Sequence, residues 1–151
     1  MRKFSFSCLF SFLIAVAFVS SSSAQSTTAI NHVALYVFDL RKSSDFYKNV
    51  MQLQEISEPF KDGKHVWFRI GPHSQLHIIQ GGKLQEHDIN THLAFSVKDL
   101  KKFMDHLDKS GVRYGSWKGE AKQITARPDG VKQVYLQDPD NLWIEVNDDK
   151  F

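Results

Sequence analysis

Three histidines and one glutamate fall at positions where their side chains are able to share a metal ion. His32 opens the run HVALYV, and His92 opens HLAFSV 60 residues later. His77 lies in LHII and Glu145 in WIEV, 68 residues apart. Neutral imidazoles with one carboxylate suit a borderline divalent cation, and the carboxylate offsets part of its charge. The same groups gathered without an ion would be costly once charged. A single strand histidine is ordinary, but four such residues matched in two pairs are not. His65, His73, His87 and His106 have no matched partner. They read as solvated residues, with His65 alone opening a strand that is able to line a cleft.

The pairs come from an internal repeat. NHVALYVFDLRKSSDFY laid over THLAFSVKDLKKFMDHL aligns His32 with His92, Ala34 with Ala94, Asp39 with Asp99 and Leu40 with Leu100. A shift of 68 aligns Trp67 with Tyr135 and His77 with Glu145, which places eight extra residues in a polar insert of the second half. Alternating apolar runs predict strands over 29–38, 64–70, 75–80, 91–97, 132–138 and 142–147. Helices are predicted from Asp39 or Leu40 to about Val50, and from about Leu100 to Ser110 with Asp99 as cap and Gly111 as stop. Leu100, Phe103, Met104 and Leu107 form one helix face that docks on a sheet. The fold class is therefore α+β, with two paired βαβββ units over about 29–80 and 91–149.

Strand alternation decides which way each side chain points. Val33, Leu35 and Val37 pack under a helix, as do their repeat partners Leu93, Phe95 and Val97. His32, His77, His92 and Glu145 all take the opposite, open face, towards a cleft that is shared within the chain or completed by a partner. Tyr36, Trp67 and Trp143 have the same open phase and are the candidates to line a substrate pocket.

The N-terminus reads as an export signal. Arg2 and Lys3 precede the apolar run LFSFLIAVAFV, and Ser22 and Ala24 are the small residues that place cleavage after Ala24. The expected organisation is a signal peptide at 1–24, a short tail at 25–28 and one domain over 29–151, exported to the periplasm or secreted. Cys8 is the only cysteine and leaves with the signal, which excludes disulfides, thiol catalysis and thiolate metal sites in the mature chain. Without Arg2 and Lys3 the 19 basic residues become 17 against 17 acidic ones, so nothing favours a nucleic-acid or anionic-membrane partner.

The chain resembles the vicinal oxygen chelate superfamily, which includes glyoxalase I, fosfomycin and bleomycin resistance proteins, methylmalonyl-CoA epimerase and the extradiol dioxygenases. The resemblance spans 29–149 and rests on NHVALYV, FYKNVMQL, LHII, THLAFSV and above all DGVKQVYLQDPDNLWIEV. It implies that His32, His77, His92 and Glu145 hold one divalent metal ion, with Zn or Ni favoured and Fe(II), Co or Mn admitted. His77 departs from the Glu or Gln usual at that position in glyoxalase I and the epimerase. The implied activity is glyoxalase-like lyase or isomerase chemistry, in which the metal polarises the carbonyl of a substrate with adjacent oxygens and Glu145 acts as base. An extradiol-type dioxygenase, or a non-catalytic protein that binds small molecules or antibiotics, are the alternatives. Export argues against a glutathione conjugate as substrate, and Arg69, Arg113 and Arg127 are only candidates for clamping an anion. Small members of the group commonly dimerise, so a homodimer is expected.

Overall fold

The computed structural model describes residues 28–150, so the expected signal peptide lies outside the described residues. β1 (His32–Val37) leads into α1 (Leu40–Asp45), which continues as a π-helical turn over Phe46–Val50. β2 (Gln54–Ile56), β3 (His65–Arg69) and β4 (Gln75–Gln80) complete the first unit. The second unit runs through β5 (His92–Ser96), α2 (Leu100–Lys109), β6 (Tyr114–Gly115), β7 (Thr125–Ala126), β8 (Lys132–Gln137) and β9 (Trp143–Asn147). The repeat extends to the helix caps. Asp39 accepts the Lys42 amide at 3.1 Å, and Asp99 accepts the Lys102 amide at 3.0 Å. Each bond satisfies a donor that the first helical turn leaves without an intrahelical partner.

The strand order is β1-β4-β3-β2 in one sheet and β5-β9-β8-β6 in the other, with β7 paired to β8. In each sheet the first strand lies at one edge, parallel to the last strand of its unit. The short strands β2, β6 and β7 have no apolar run of their own to reveal them. β2 and β6 begin at Gln54 and Tyr114, still 60 residues apart. The eight-residue insert therefore lies between β6 and β8, where β7 sits.

The packed faces of both sheets feed one continuous core. Phe68, Leu76 and Ile78 from the first unit and Leu136, Ile144 and Val146 from the second are all fully buried in it. α2 contributes Leu100, Phe103 and Leu107, with Met104 partly buried beside them. The turn between β8 and β9 latches the two units. Tyr47 donates its hydroxyl to Asp138 at 2.8 Å, while Asp140 accepts the Ser43 hydroxyl at 2.8 Å and the Phe38 amide at 2.7 Å. His106, expected as a solvated residue, instead places Nε2 3.0 Å from the Asn49 carbonyl and 3.1 Å from that of Val50. Those carbonyls end the first unit's helix and need a donor, which α2 supplies. Because the packed faces and helices share one core, the two open faces are turned outward from it.

Candidate metal centre

Each expected ligand stands where alternation placed it, and the structure gathers them as two pairs rather than one cluster. Among the described residues no group of three or more His, Cys, Asp or Glu side chains lies close enough together to hold an ion. His32 and His77 belong to the first sheet, and His92 and Glu145 to the second.

On the second sheet, Ala94 of β5 and Tyr135 of β8 flank Glu145 in register. The small alanine leaves room beside the carboxylate, and His92 reaches it from two register positions along the strand. His92 Nε2 lies 3.5 Å from Glu145 Oε2, and His92 Nδ1 lies 2.7 Å from the Ile89 carbonyl oxygen. A carbonyl accepts only, so Nδ1 carries a hydrogen, and in the neutral ring Nε2 turns a lone pair towards the carboxylate. Two acceptors facing each other repel unless a cation or a proton lies between them. Ligand bonds of roughly 2.1 Å at tetrahedral angles set two donor atoms about 3.4 Å apart, close to the spacing found here. The pair fits a metal ion on this ground.

The glutamate is also held from behind. Tyr135 donates to Oε2 at 2.6 Å and Asn147 Nδ2 donates to Oε1 at 2.7 Å. Gln133 Nε2 donates to the Tyr135 hydroxyl at 2.5 Å, and the Ser96 hydroxyl donates to Asn147 at 2.8 Å. Burial, and then the bond to Glu145, pushes the Tyr135 phenol above its ordinary pKa, so it stays a donor. The amide oxygen of Gln133 is buried without a partner, an acceptor left over at the end of this network. Sequence reasoning assigned no role to Ser96, Asn147 or Tyr135. The alternation of β8, which puts Gln133, Tyr135 and Gln137 opposite Asn147, Glu145 and Trp143, carries that signal.

On the first sheet three rings stack. His77 lies parallel to Trp67, with centroids 3.8 Å apart and planes within 3°, and parallel to His32 at 4.4 Å and 9°. His77 is buried, and Nε2 donates to Gln75 Oε1 at 2.9 Å. Burial, followed by the neighbouring His32 and His65, lowers its pKa and favours the neutral ring. His32 is exposed at the sheet edge, and its Nδ1 is tied to Asn31 Oδ1 at 2.8 Å. That bond leaves its Nε2 lone pair outward, the same tautomer as His92. Phe60 stacks on His65 and meets Trp67 edge-on, extending an aromatic surface across this face.

A cleft of about 490 Å³ is lined in part by Tyr114, Ser116, Tyr135, Gln137 and Trp143; it meets the second pair only through Tyr135, and neither His92 nor Glu145 lines it. Of the expected pocket residues, Trp143 lines this cleft and anchors its indole N–H on the His87 carbonyl at 3.0 Å. Trp67 stands on the other open face. Tyr36, 66% exposed, lies outside the cleft against Gly81 and Gly82. Among the described residues no helix is long and apolar enough to cross a membrane.

The sequence profile of the Glyoxalase/Bleomycin resistance protein/Dioxygenase superfamily matches residues 29–146. Metallothiol transferase FosB of Staphylococcus epidermidis is 26% identical over 125 residues, covering 80% of this chain and 81% of the relative. Fosfomycin resistance protein FosX of Listeria monocytogenes is 26% identical over 127 residues, covering 80% of this chain and 89% of the relative. Among solved structures, a putative glyoxalase family protein from Bacillus anthracis superposes with a TM-score of 0.65 at 24% identity, covering 83% and 98% of the two chains.

Proposed function

The chain belongs to the Glyoxalase/Bleomycin resistance protein/Dioxygenase superfamily, and from that premise we propose that it is a homodimeric metalloenzyme acting on a small molecule with adjacent oxygens. The observation that carries this reading is the pair His92 Nε2 and Glu145 Oε2, two acceptors 3.5 Å apart. His92 and Glu145 of one copy and His32 of the other would hold the ion. When bound, a divalent ion such as Zn or Ni supplies Lewis-acid polarisation of a carbonyl or similar oxygen.

The rest is the work of this chain's residues. Tyr135 and Asn147 each donate to Glu145 and aim its carboxyl group, the candidate to accept a proton from the bound molecule. Trp143 and Tyr135 line the cleft on this side of the second sheet. A second copy is favoured by the outward turn of both half-sites and by apolar surface next to β1, where Tyr36 is 66% and Phe38 55% exposed. Within this reading, lyase or isomerase chemistry on a carbonyl substrate fits the glutamate base. The relatives named for fosfomycin resistance and metallothiol transfer favour a second reading, binding or modification of a fosfomycin-like small molecule at the same centre.

The test uses two variants made in one cell, His32→Ala and Glu145→Ala. Each homodimer is expected to lose its metal. The mixed dimer has one site that lacks both residues and one that is intact, so it is expected to hold half the wild-type metal by elemental analysis. A metal-free mixed dimer beside a metal-loaded wild type refutes the shared site, and a metal-free wild type refutes the metal reading.

A further inference from the structure

We infer that His77 is a positioning residue and not a ligand: it is the aromatic support that holds His32 in place, clamped between that ring and Trp67. The inference rests on the metal reading above. An imidazole nitrogen binds an ion in the plane of its own ring, at roughly 2.1 Å, because the lone pair lies in that plane. His32 and His77 are stacked with planes within 9° and centroids 4.4 Å apart. Stacked planes only 9° apart do not meet within bonding reach of either ring, so an ion placed in the plane of one ring lies off the plane of the other. The two histidines cannot grip one ion together in this arrangement.

Which of the two is the ligand follows from their surroundings. His32 is exposed, with one nitrogen tied to Asn31 and the other unencumbered. His92, its repeat partner, has the same tautomer, with Nδ1 tied to a carbonyl and Nε2 facing Glu145. His77 has the reverse arrangement. Its Nε2 is the bonded nitrogen, the residue is buried, and Trp67 covers the face that His32 does not. Turning it towards an ion would break the Gln75 bond and both stacks at once. The repeat also supplies a precedent for divergence. Glu145 stands opposite Tyr135, whose hydroxyl steadies a ligand, and His77 stands opposite Trp67, whose flat face steadies the support of a ligand.

A three-ligand centre of His32, His92 and Glu145 leaves one more coordination position for substrate than a four-ligand one. The role assigned to His77 requires a flat ring there and no nitrogen. His77→Phe keeps the ring and removes the donor, whereas His77→Gln keeps a donor and removes the ring. Trp67→Ala removes the other half of the clamp without touching any nitrogen.

The experiment loads each full-length mature dimer with Co²⁺, measures affinity by competition with a chromophoric chelator, and records the visible d–d spectrum that reports coordination. His77→Phe is expected to bind one cobalt per site within about threefold of wild type with an unchanged spectrum. His77→Gln and Trp67→Ala are each expected to weaken binding about 10-fold, the scale of a lost supporting contact. Retention in His77→Gln with loss or a shifted spectrum in His77→Phe overturns the assignment. Wild-type affinity in Trp67→Ala overturns it too, and that variant decides the matter if His77→Phe fails to fold. A wild-type dimer that takes up no cobalt overturns the metal reading and this assignment with it, which separates the two failures.

Discussion

Replacing Tyr47 with phenylalanine should loosen the two units from each other by an amount that grows with pH. The Tyr47 side chain is fully buried, and its hydroxyl donates to Asp138 at 2.8 Å. Asp138 keeps the amides of Asp140 and Leu142, at 2.8 and 2.9 Å, so the change weakens the carboxylate's solvation without stripping it. A hydrogen bond to a charged group contributes about 1.5–3 kcal/mol, so the expected loss is about 2 kcal/mol at neutral pH. For a domain of this size that lowers Tm by about 6–12 °C. Burial outweighs these hydrogen bonds and pushes the Asp138 carboxyl above its usual range. A carboxyl with a raised folded pKa binds more protons folded than unfolded. Its contribution therefore favours folding at low pH and fades as pH rises from the unfolded value through the folded one. Removing the Tyr47 bond, which favours the charged form, raises that pKa further. The variant's deficit is thus smallest in acid and largest at neutral pH. Urea unfolding at both conditions measures it, with Asp138→Asn as the background in which the pH dependence should vanish. A deficit under about 0.5 kcal/mol at neutral pH, or one that shrinks as pH rises, would refute the latch.

Two further outcomes are expected. Tyr135→Phe removes the donor to Glu145 Oε2 and the acceptor of Gln133 Nε2, so metal affinity should fall about 10–100-fold along with a lowered melting temperature; equal affinity by chelator competition would deny the phenol its role. Gly82→Ala would bring a Cβ within 2.1 Å of the Tyr36 backbone carbonyl oxygen, which has no flexible side chain to give way, and should cost about 1–3 kcal/mol by displacing the β1 edge; a thermal melt that matches wild type counts against the close approach.

The long elements were legible because they carry period and punctuation together. HVALYV and HLAFSV alternate, Asp39 and Asp99 cap, and Gly111, with φ +67, ends α2 in the conformation that favours glycine. The open-face positions of His32, His77, His92 and Glu145 followed from that alternation alone. The edge strands β2, β6 and β7 span only two or three residues and are defined by their neighbours' hydrogen bonds, which no local pattern encodes. The π-helical end of α1 and the bond from His106 to its carbonyls are likewise tertiary events. Tyr135 was missed for a different reason. It was aligned with Trp67 as an apolar repeat position, and its hydroxyl became informative only once Glu145 stood beside it.

The division of the ligands into two pairs is a consequence of how the duplicated units pack. Each unit needs its helix face covered, and the chain meets that need by burying both helix faces in one core, with Asp138 and Asp140 bonded to Tyr47 and Ser43 of the first helix. Once that core forms, the open faces must turn outward, and a ligand set divided between them cannot converge within one chain. His32 and His92 both stand on edge strands, which present unpaired backbone groups that a second copy is able to meet. A lone chain would offer an ion only His92 and Glu145 on one face, fewer protein donors than the three that catalytic zinc sites ordinarily use. The proposed dimer supplies the third donor from His32, whose ring is held at the edge by the His77–Trp67 stack. On this reading assembly and metal uptake are linked: metal should tighten the dimer, and dilution to monomer should release the metal.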